Sequence, residues 1–455
     1  MKGPIRAFCM LTGRHSNVIC CIYAVIDLPS MTPSVHVSLP GTVVPPMNRL
    51  SVITLPALIL FASTAEAQNW PRFRGENGAG ISTVAGIPTT WTKKDYAWEI
   101  ELPHIGHSSP VIWDKLLFVT SATEGGGERF LHCLDADSGK QLWQVSVKLG
   151  ESHKHDKNSW ASSTPATDGQ RVYTLFADEQ KLLATAWDFA GNEVWTRDLG
   201  PYESEHGLGA SPIVQEGLLI VPNDQVGPSF IIALNADSGE VVWKTDRLSG
   251  KTSYSTPLVM SGKGSELQLI CLSEANGVTG TDLRTGMLNW QTPKLPMRTV
   301  ASPVEAEGLV FAYCGEGGNG KYFAAIKSDP GADEASRIVF ERKTMLPYVP
   351  CPIAFDGLLF LWGDSGIMTC LELPTGNDVW SERIDGAFSG SPVCIEDRLY
   401  CVTESGDVVV LHAGREFREL GRTSLGDDCH STPAVANGHL YIRTFRHVLA
   451  IKARP

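Results

Sequence analysis

Residues 234–243 read LNADSGEVVW, and residues 134–143 read LDADSGKQLW. In each stretch a hydrophobic run leads into a polar turn, a glycine follows, and a tryptophan lies four residues after that glycine. This spacing occurs five times, at Gly139/Trp143, Gly191/Trp195, Gly239/Trp243, Gly286/Trp290 and Gly376/Trp380. Phe340 and Phe417 end two weaker copies. A unit that recurs at a near-constant period predicts an array of similar structural modules rather than unrelated domains.

A second marker recurs along the chain, a small residue followed by proline and a short hydrophobic run. It occurs at Ser109-Pro110, Thr164-Pro165, Ser211-Pro212, Thr256-Pro257, Ser302-Pro303, Cys351-Pro352, Ser391-Pro392 and Thr432-Pro433. Residues 212–243 contain four short hydrophobic runs separated by turns, which is typical of four antiparallel strands. The proline then begins a strand, where its missing N–H does least harm. Four-stranded units at this period predict a β-propeller.

The ends of the chain decide the number of blades. Seven units run from a proline to an aromatic residue, and an eighth begins at Pro433 without its last strand. Residues 97–100 supply a strand ahead of the first unit. We therefore predict an all-β fold, an eight-bladed β-propeller of four-stranded antiparallel blades, closed by pairing the N-terminal strand with the C-terminal blade. Six tryptophans are predicted to pin neighbouring blades together: Trp98, Trp143, Trp195, Trp243, Trp290 and Trp380.

Composition and charge narrow the classes of partner. The 455 residues carry a formal net charge of −12 and no basic run, whereas a nucleic-acid surface is basic. No stretch reaches the roughly 18 apolar residues of a membrane-spanning helix. We expect a monomer that neither binds nucleic acid nor spans a membrane.

The N-terminal part of the sequence has the pattern of a secretory signal. Residues 47–67 contain a basic start at Arg49, a hydrophobic run over 50–61 and the small-residue motif Ala65-Glu66-Ala67. We expect cleavage after Ala67 and a periplasmic or secreted protein. Because signal peptides begin at their own methionine, we expect translation to start at Met47 and residues 1–46 to be a misassigned upstream segment. Residues 68–90 are then an N-terminal extension, and residues 91–455 form the propeller.

The cysteines suggest buried core positions more than a disulfide framework. Cys133 and Cys370 occupy the repeat position of Ala233, which predicts small buried residues. Cys394 and Cys401 lie on the two arms of one predicted hairpin. Their register depends on whether the turn is 396–397 or 397–398, so a disulfide between them stays open.

The segments before the eight prolines are expected to surround the propeller axis. His107 and His430 each lie three residues before a proline, in the first and last blades, and Tyr254 has the same offset. Further ligand-type residues in these segments are His153, His155, Asp156, Glu203, Glu205, His206, Asp427 and Asp428. Imidazoles and carboxylates that converge there suit a divalent ion. The candidate metal set is His107, His430, His206 and Asp428, and the alternative is a polar, solvated mouth without a metal.

The units at 134–143 and 234–243 resemble the tryptophan-docking repeat of the pyrroloquinoline-quinone (PQQ)-like eight-bladed β-propeller family, and the resemblance covers about residues 91–455. The stretch NWPRFRG at 69–75 is similar to the mature start of secreted propellers of this class. The family contains quinoprotein alcohol dehydrogenases, which bind PQQ and Ca²⁺ on the axis. It also contains non-catalytic scaffolds, such as the propeller lipoprotein of the outer-membrane β-barrel assembly machinery. The fold alone does not choose between them.

For the dehydrogenases, the resemblance implies adjacent cysteines forming a disulfide, a stacking tryptophan, carboxylates for Ca²⁺ and an aspartate base. The adjacent cysteines of this chain are Cys20 and Cys21, ahead of the predicted signal peptide. Trp160 is the candidate to stack on a quinone and Arg298 the candidate to pair with its carboxylate, with Tyr254 on the same face.

Three functions follow from these observations. We favour an exported, non-catalytic scaffold that binds another envelope protein, with no catalytic residue and no cofactor. The first alternative is a PQQ-dependent alcohol or sugar dehydrogenase with reduced active-site machinery, which would use PQQ with calcium. The second alternative is a propeller that binds a carbohydrate or another metabolite.

Overall fold

The computed structural model describes residues 68–261 and 266–454. The predicted upstream segment and signal peptide lie outside these residues. Over the described residues the strands form eight sheets, of which seven have four strands and one has five. The predicted eight-bladed propeller is therefore confirmed. The helical elements of this described part are one short α-helix, α1 (Glu334–Arg337), and three 3-10 turns at Glu76–Gly78, Lys93–Asp95 and Glu124–Gly126.

The chain first forms two strands that belong to late blades, β1 (Ile81–Ser82) and β2 (Tyr96–Glu101). Blade 1 contains β3 (Val111–Trp113), β4 (Leu116–Ala122), β5 (Glu128–Asp135) and β6 (Gln141–Lys148). Blade 2 contains β7 (Ala166–Thr167), β8 (Arg171–Ala177), β9 (Leu182–Asp188) and β10 (Glu193–Asp198). Blade 3 contains β11 (Ile213–Gln215), β12 (Leu218–Asn223), β13 (Ser229–Asn235) and β14 (Val241–Arg247).

The middle of the chain repeats this unit. Blade 4 contains β15 (Leu258–Ser261), β16 (Leu267–Ser273), β17 (Gly277–Asp282) and β18 (Leu288–Gln291). Blade 5 contains β19 (Val304–Ala306), β20 (Leu309–Glu316), β21 (Asn319–Lys327) and β22 (Ile338–Arg342). Blade 6 contains β23 (Ile353–Phe355), β24 (Leu358–Trp362), β25 (Ile367–Glu372) and β26 (Asn377–Arg383).

The last two blades take in strands from the N-terminal side. Blade 7 contains β27 (Val393–Ile395), β28 (Arg398–Val402), β29 (Asp407–His412) and β30 (Glu419–Ser424), with β1 added parallel to β27. Blade 8 contains β31 (Ala434–Ala436), β32 (His439–Arg443) and β33 (His447–Lys452), and β2 pairs antiparallel with β33. The predicted closure of the ring by the strand around Trp98 is confirmed.

A ring of hydrogen bonds joins the blades around the axis. It uses the small residue that precedes each proline, and we call these eight residues the axial ring. In seven of the eight steps between neighbouring blades, the backbone N–H of one member donates to the side chain of the member in the next blade; the step from Ser211 to Thr256 is the exception. The bonds run from Ser109 to Thr164 (3.0 Å), Thr164 to Ser211 (2.9 Å), Thr256 to Ser302 (2.9 Å), Ser302 to Cys351 (3.2 Å), Cys351 to Ser391 (2.9 Å), Ser391 to Thr432 (2.9 Å) and Thr432 to Ser109 (3.2 Å).

The tryptophans of the outermost strands contact the next blade. Trp243, for example, covers Gly286, so that a Cβ on this glycine would lie 2.5 Å from the ring. Its indole N–H donates to the carbonyl oxygen of Leu283, at 3.0 Å. Equivalent bonds to the next blade run from Trp98 to Ala136, Trp143 to Phe189, Trp195 to Ala236 and Trp380 to Gly414. At four of these turns, at Gly139, Gly191, Gly239 and Gly286, glycine is needed because the aromatic ring leaves no room for a side chain and because φ is positive there.

Trp290 departs from this pattern. Its indole N–H donates to Oε1 of Gln268 in its own blade, at 2.8 Å. From the next blade it meets the guanidinium of Arg337, 4.5 Å from the ring centroid, rather than a turn glycine. The helix α1 stands where the other blades have a tight turn, which explains the different contact.

Blade 7 has no aromatic residue at the docking position, and the expectation for Phe417 was wrong. Phe417 precedes β30 and packs edge-on against Trp380, with 5.4 Å between ring centroids. The strand register instead places Gly421 there, opposite Val410. Backbone from the N-terminal segment fills the space, because a Cβ on Gly421 would lie 2.3 Å from the carbonyl oxygen of Thr89.

The N-terminal segment crosses the propeller axis. It lies on the side opposite the loops that lead into the innermost strands. Trp70 exchanges two backbone hydrogen bonds with Ile112 in blade 1. Arg72 donates to the carbonyl oxygen of Pro257 in blade 4, and Arg74 donates to that of Pro352 in blade 6. With β1 on blade 7, the segment touches innermost strands on opposite sides of the ring. It therefore closes one end of the axial channel.

The described cysteines are buried free thiols. Cys133 and Cys370 lie opposite Trp143 and Trp380, as Ala233 lies opposite Trp243, which confirms the prediction of small core residues. In the hairpin of blade 7, Ile395 pairs with Arg398, so the turn is 396–397. Cys394 then faces Leu399, and the two hairpin cysteines are not cross-strand partners.

Removing one acceptor from the axial ring should lower stability. In Thr432→Val the side chain keeps its shape and loses the oxygen that accepts the Ser391 N–H. We expect the free energy of unfolding to fall by about 1–3 kcal/mol, the cost of an unpaired buried donor. Thr432→Ser keeps the hydroxyl and is the control, measured in the same urea titration. Equal stability of the two variants would show that the ring bond contributes nothing.

A substitution at Gly421 tests whether the N-terminal segment packs against the outermost strand of blade 7. Gly421→Ala should destabilise the protein, because its Cβ meets the Thr89 carbonyl oxygen. Gly127→Ala is the matched control, since a Cβ there has no neighbour within 4 Å. We expect a fall in melting temperature for Gly421→Ala alone. A melting temperature equal to that of the control would mean that the segment is not held against the strand.

Candidate functional site

A cavity of about 480 Å³ lies on the propeller axis. All eight residues of the axial ring line it, and so does Phe73 from the N-terminal segment. The remaining lining residues come mainly from the loops that lead into the innermost strands. The sequence analysis expected these loops to surround the axis, and the structure places them there.

Arg298 is the centre of a polar cluster on one wall of the cavity. The side chain is buried, its Nη1 donates to Nε2 of His206 at 2.9 Å, and its Nη2 forms an ion pair with Glu205. Tyr254 stacks on His206 with 6.0 Å between ring centroids. Because arginine has no acceptor, His206 must accept through Nε2 and carry its proton on Nδ1. Burial also lowers the pKa of His206, which favours this neutral form.

His107 and His430 meet on the opposite wall, in blades 1 and 8. Their rings are edge-on with 4.7 Å between centroids, and His107 also stacks on Phe445. Burial lowers the pKa of His107 well below its usual range, and repulsion from His430 lowers it further. Burial also lowers the pKa of His430. Both imidazoles are therefore neutral at pH 7.

The structure does not bring the predicted metal set together. His107 and His430 are neighbours, but His206 belongs to the arginine cluster, and Asp428 is not among the residues that line the cavity. Within residues 68–261 and 266–454, no group of three or more His, Cys, Asp or Glu side chains is arranged to hold a metal ion. Sequence spacing placed these residues on the same face but gave no distances across the axis.

Trp160 is also displaced from its predicted role. Its indole N–H donates to the carbonyl oxygen of Ser152, at 2.7 Å, and Lys154 Nζ lies 4.9 Å from the ring centroid. Trp160 is not among the residues that line the cavity, whereas Arg298 and Tyr254 are. The tryptophan therefore stabilises its own loop and is not placed to stack on an axial ligand.

That loop crosses the mouth of the cavity, and we call residues 152–158 the axial strap. At one end, Asn158 Nδ2 donates to the carbonyl oxygen of His206 in the loop before blade 3, at 2.7 Å. On the far side, Lys157 Nζ donates to Oε1 of Glu404 in blade 7, at 2.7 Å. Nδ1 of His430 lies 3.3 Å from the Lys157 carbonyl oxygen. The connection between blades 1 and 2 thus reaches across the axis.

Asp364 lines the cavity and was missed by the sequence analysis. Its carboxylate accepts the backbone N–H groups of Tyr348 (2.6 Å) and Val349 (3.1 Å), and burial raises its pKa to about 6. The signal was present, because an acidic residue lies at or just after the end of the second strand in seven blades. These residues are Glu124, Asp178, Asp224, Glu274, Glu316, Asp364 and Glu404.

The raised pKa of Asp364 makes stability depend on pH. The folded protein holds this proton up to about pH 6, whereas an unfolded aspartate loses it near its ordinary value of 3.8. The folded state therefore binds more protons between these values, so this group's contribution to stability falls as pH rises from about 4 to 6. In Asp364→Asn we expect that fall to be missing from urea titrations at successive pH values. A carboxyl ¹³C shift that titrates near 4 in the folded wild type would contradict the assignment.

Comparison with known proteins follows this geometry. The family model described as "Outer membrane protein assembly factor BamB" matches residues 88–186, 127–350 and 348–416. A relative with that name from Yersinia pestis is 24% identical over 327 residues, which is 67% of this chain and 76% of the relative.

Solved structures share the fold. The crystal structure of BamB from Moraxella catarrhalis superimposes with a TM-score of 0.56 at 16% identity, covering 78% of this chain and 96% of that one. Quinohemoprotein alcohol dehydrogenase from Comamonas testosteroni superimposes with a TM-score of 0.63 at 13% identity, covering 85% of this chain and 81% of that one. In the described part of this chain, no helix has the length and apolar character needed to cross a membrane.

The family model spans well over half of the sequence, and the repeats it recognises are the blades seen in the structure. The chain therefore belongs to the PQQ-like β-propeller family described as outer membrane protein assembly factor BamB.

Proposed function

We propose that this chain is an exported, non-catalytic propeller that binds another envelope protein and acts as a scaffold in outer-membrane protein assembly. The relatives that are named outer membrane protein assembly factors support a role in that assembly. The observation that carries the binding role is a band of exposed aliphatic side chains on the outermost strands of five successive blades. We call it the apolar rim, and it consists of Leu142, Val194, Val242, Leu288 and Val339.

The rim arises from the same feature that docks the tryptophans. A β-bulge directly precedes the docking aromatic, for example between the pairs Ala233/Trp243 and Leu234/Val241. Val242 is the extra residue of that bulge and is 48% exposed. A bulge re-aims side chains, so in blades 1, 2, 3 and 5 the residue before the inward-facing aromatic is an exposed aliphatic one. In blade 4 the bulge residue is Asn289, and the exposed aliphatic residue, Leu288, lies one position earlier. The outermost strand also has one unpaired backbone edge, the kind of edge to which a partner's extended segment can add.

The residues of the cavity do not fit calcium-bound PQQ, which weakens the dehydrogenase alternative. Asp364 is the one carboxylate among the lining residues, and Cys351 is the one cysteine. The adjacent cysteines implied by the resemblance are absent from the sequence after residue 67. The cavity therefore supplies Arg298 for a quinone carboxylate but lacks the stacking tryptophan and the calcium ligands.

The metabolite-binding alternative has one specific observation in its favour. A volume of about 480 Å³ lies within the range of about 300–1,000 Å³ typical of small-molecule sites. This alternative does not compete with a scaffold role, because the cavity lies on the axis and the rim lies on the outside of the ring.

Export is tested by sequencing the N-terminus of the native protein. We expect the mature chain to start at Gln68 and the precursor at Met47. A mature protein that retains residues from 1–46 would contradict this proposal.

The rim is tested by crosslinking in cells that express the protein, followed by identification of the captured envelope proteins by mass spectrometry. In Leu142→Lys/Val242→Lys we expect capture of an outer-membrane assembly protein to fall at least about tenfold, since desolvating two charges in an apolar contact is costly. Val226→Lys, at an equally exposed valine away from the rim, is the control. Equal capture by both variants would exclude the rim as the binding surface. Saturable binding of PQQ with calcium, followed by absorbance, would overturn the non-catalytic proposal.

A further inference from the structure

We propose that the axial cavity binds a small organic anion, whose carboxylate or phosphate group lies between the axial ring and Arg298, beneath the axial strap. This site goes beyond the scaffold role and does not depend on it. It rests on a surplus of hydrogen-bond donors, on the charges around the ring and on the way that the cavity is enclosed.

The axial ring supplies the first set of donors. Six of its hydroxyl oxygens each accept one backbone N–H, and in the described structure none of these hydroxyls donates to another protein atom. They belong to Ser109, Thr164, Ser211, Ser302, Ser391 and Thr432. A hydroxyl has one proton to donate besides its acceptor lone pairs. Since all six residues line the cavity, their protons are available to a group inside it.

The wall at Arg298 supplies the second set. Nε of Arg298 and Nδ1 of His206 are buried and have no hydrogen-bond partner within the described residues. Both carry a proton, because guanidinium is always a donor and because His206 accepts through Nε2. Leaving a buried donor unpaired costs about 1–3 kcal/mol. A ligand rich in acceptor oxygens would satisfy these groups.

Charge selects an anion among acceptor-rich ligands. Three buried guanidinium groups touch residues next to the axial ring, and none of them is bonded to a carboxylate in the described structure. Arg72 donates to the Pro257 carbonyl oxygen (2.6 Å), Arg74 to that of Pro352 (2.8 Å), and Arg443 to the Ser108 hydroxyl (3.0 Å).

Arg72 and Arg443 keep their charge at neutral pH. Burial lowers the pKa of Arg72 and of Arg443 to about 9, which still leaves both protonated. The one acidic residue among the lining residues, Asp364, has a pKa of about 6. At pH 7 the Asp364 carboxylate is therefore largely ionised, and Arg298 and Lys157 are paired with Glu205 and Glu404. The positive charges that no carboxylate offsets in the described structure are the three guanidinium groups next to the axial ring, and they outnumber the single Asp364 carboxylate.

The enclosure of the cavity favours a compact ligand. The N-terminal segment closes one end, where Phe73 lines the cavity. The axial strap crosses the other end. On its far side it is held by the ion pair between Lys157 and Glu404, which is partly exposed to solvent, and by the contact between His430 and the Lys157 carbonyl oxygen. Such a pair contributes little stability. The strap can therefore release at that side and admit a ligand.

The test uses the full-length mature protein and citrate as the probe, in isothermal titration and thermal-shift experiments at physiological ionic strength. We expect saturable 1:1 binding and a higher melting temperature, with sorbitol as the uncharged control that shows neither. Absence of saturable citrate binding to the wild type would overturn the proposal.

Two variants locate the site. Arg298→Gln should weaken citrate binding by about tenfold or more, the effect of losing a charge-assisted hydrogen bond. Arg284→Gln removes an arginine from an exposed ion pair on the outer surface and should leave the affinity unchanged. Equal affinity in the two variants would overturn the assignment.

A strap variant keeps the proposal falsifiable if Arg298→Gln does not fold. Glu404→Gln removes the carboxylate that pairs with Lys157 and leaves every lining residue of the cavity in place, so it should raise the association rate of citrate in stopped-flow measurements. An unchanged association rate would contradict the role of the strap as the cover of this site.

Discussion

The backbone N–H that precedes each innermost strand needs an acceptor on the crowded axis, and at seven of the eight positions a side chain of the neighbouring blade supplies it. The proline that follows has no N–H, so the residue before it carries the last backbone donor before the innermost strand. A short side chain with an oxygen or sulfur atom solves the problem, because it reaches the adjacent N–H without filling the channel. The recurrence of Ser, Thr and one Cys before the prolines is thus a consequence of ring geometry. The same solution lines the cavity with hydroxyl groups.

The contacts between the outermost strand of one blade and the next blade differ from junction to junction. Five tryptophans donate to a carbonyl oxygen of the next blade, while Trp290 bonds within its own blade and meets Arg337. At Gly421 the aromatic ring is missing, and residues from the N-terminal segment occupy the space. Each junction is filled, but by different groups. Packing between blades therefore depends on filled volume and satisfied N–H groups rather than on one residue type.

Local periodicity in the sequence was sufficient to predict the architecture. The spacing of Gly139 to Trp143 and its copies, together with the small-residue–proline marker, determined the number of blades and the closing strand. The same periodicity could not show that the markers bond to one another, because each bond joins residues 40 or more positions apart. It also could not anticipate the N-terminal segment, since residues 68–91 follow no repeat.

The site was harder to predict because it depends on distances across the axis. Arg298 and Tyr254 line the cavity as the sequence suggested, but Trp160 lies outside it. The connection that carries Trp160 is longer than the others, and its path is set by contacts with distant blades. Asp364 was overlooked because an aspartate in a Gly-Asp-Ser-Gly turn is usually a turn former, and only burial distinguishes it.

The closure of blade 8 has a consequence for how the chain reaches its native state. Strand β2 begins at Tyr96, and its partner β33 ends at Lys452, so the pairing joins segments separated by almost the whole propeller. Blades in the middle of the chain can form from local hairpins, whereas the ring is complete only after the last of them has been made. Contacts of such high sequence separation form late and slowly. The open ring, in which two blade faces lack their neighbours, is then the state most exposed to aggregation or proteolysis. Pairing of β2 with β33 closes the ring and ends that exposure.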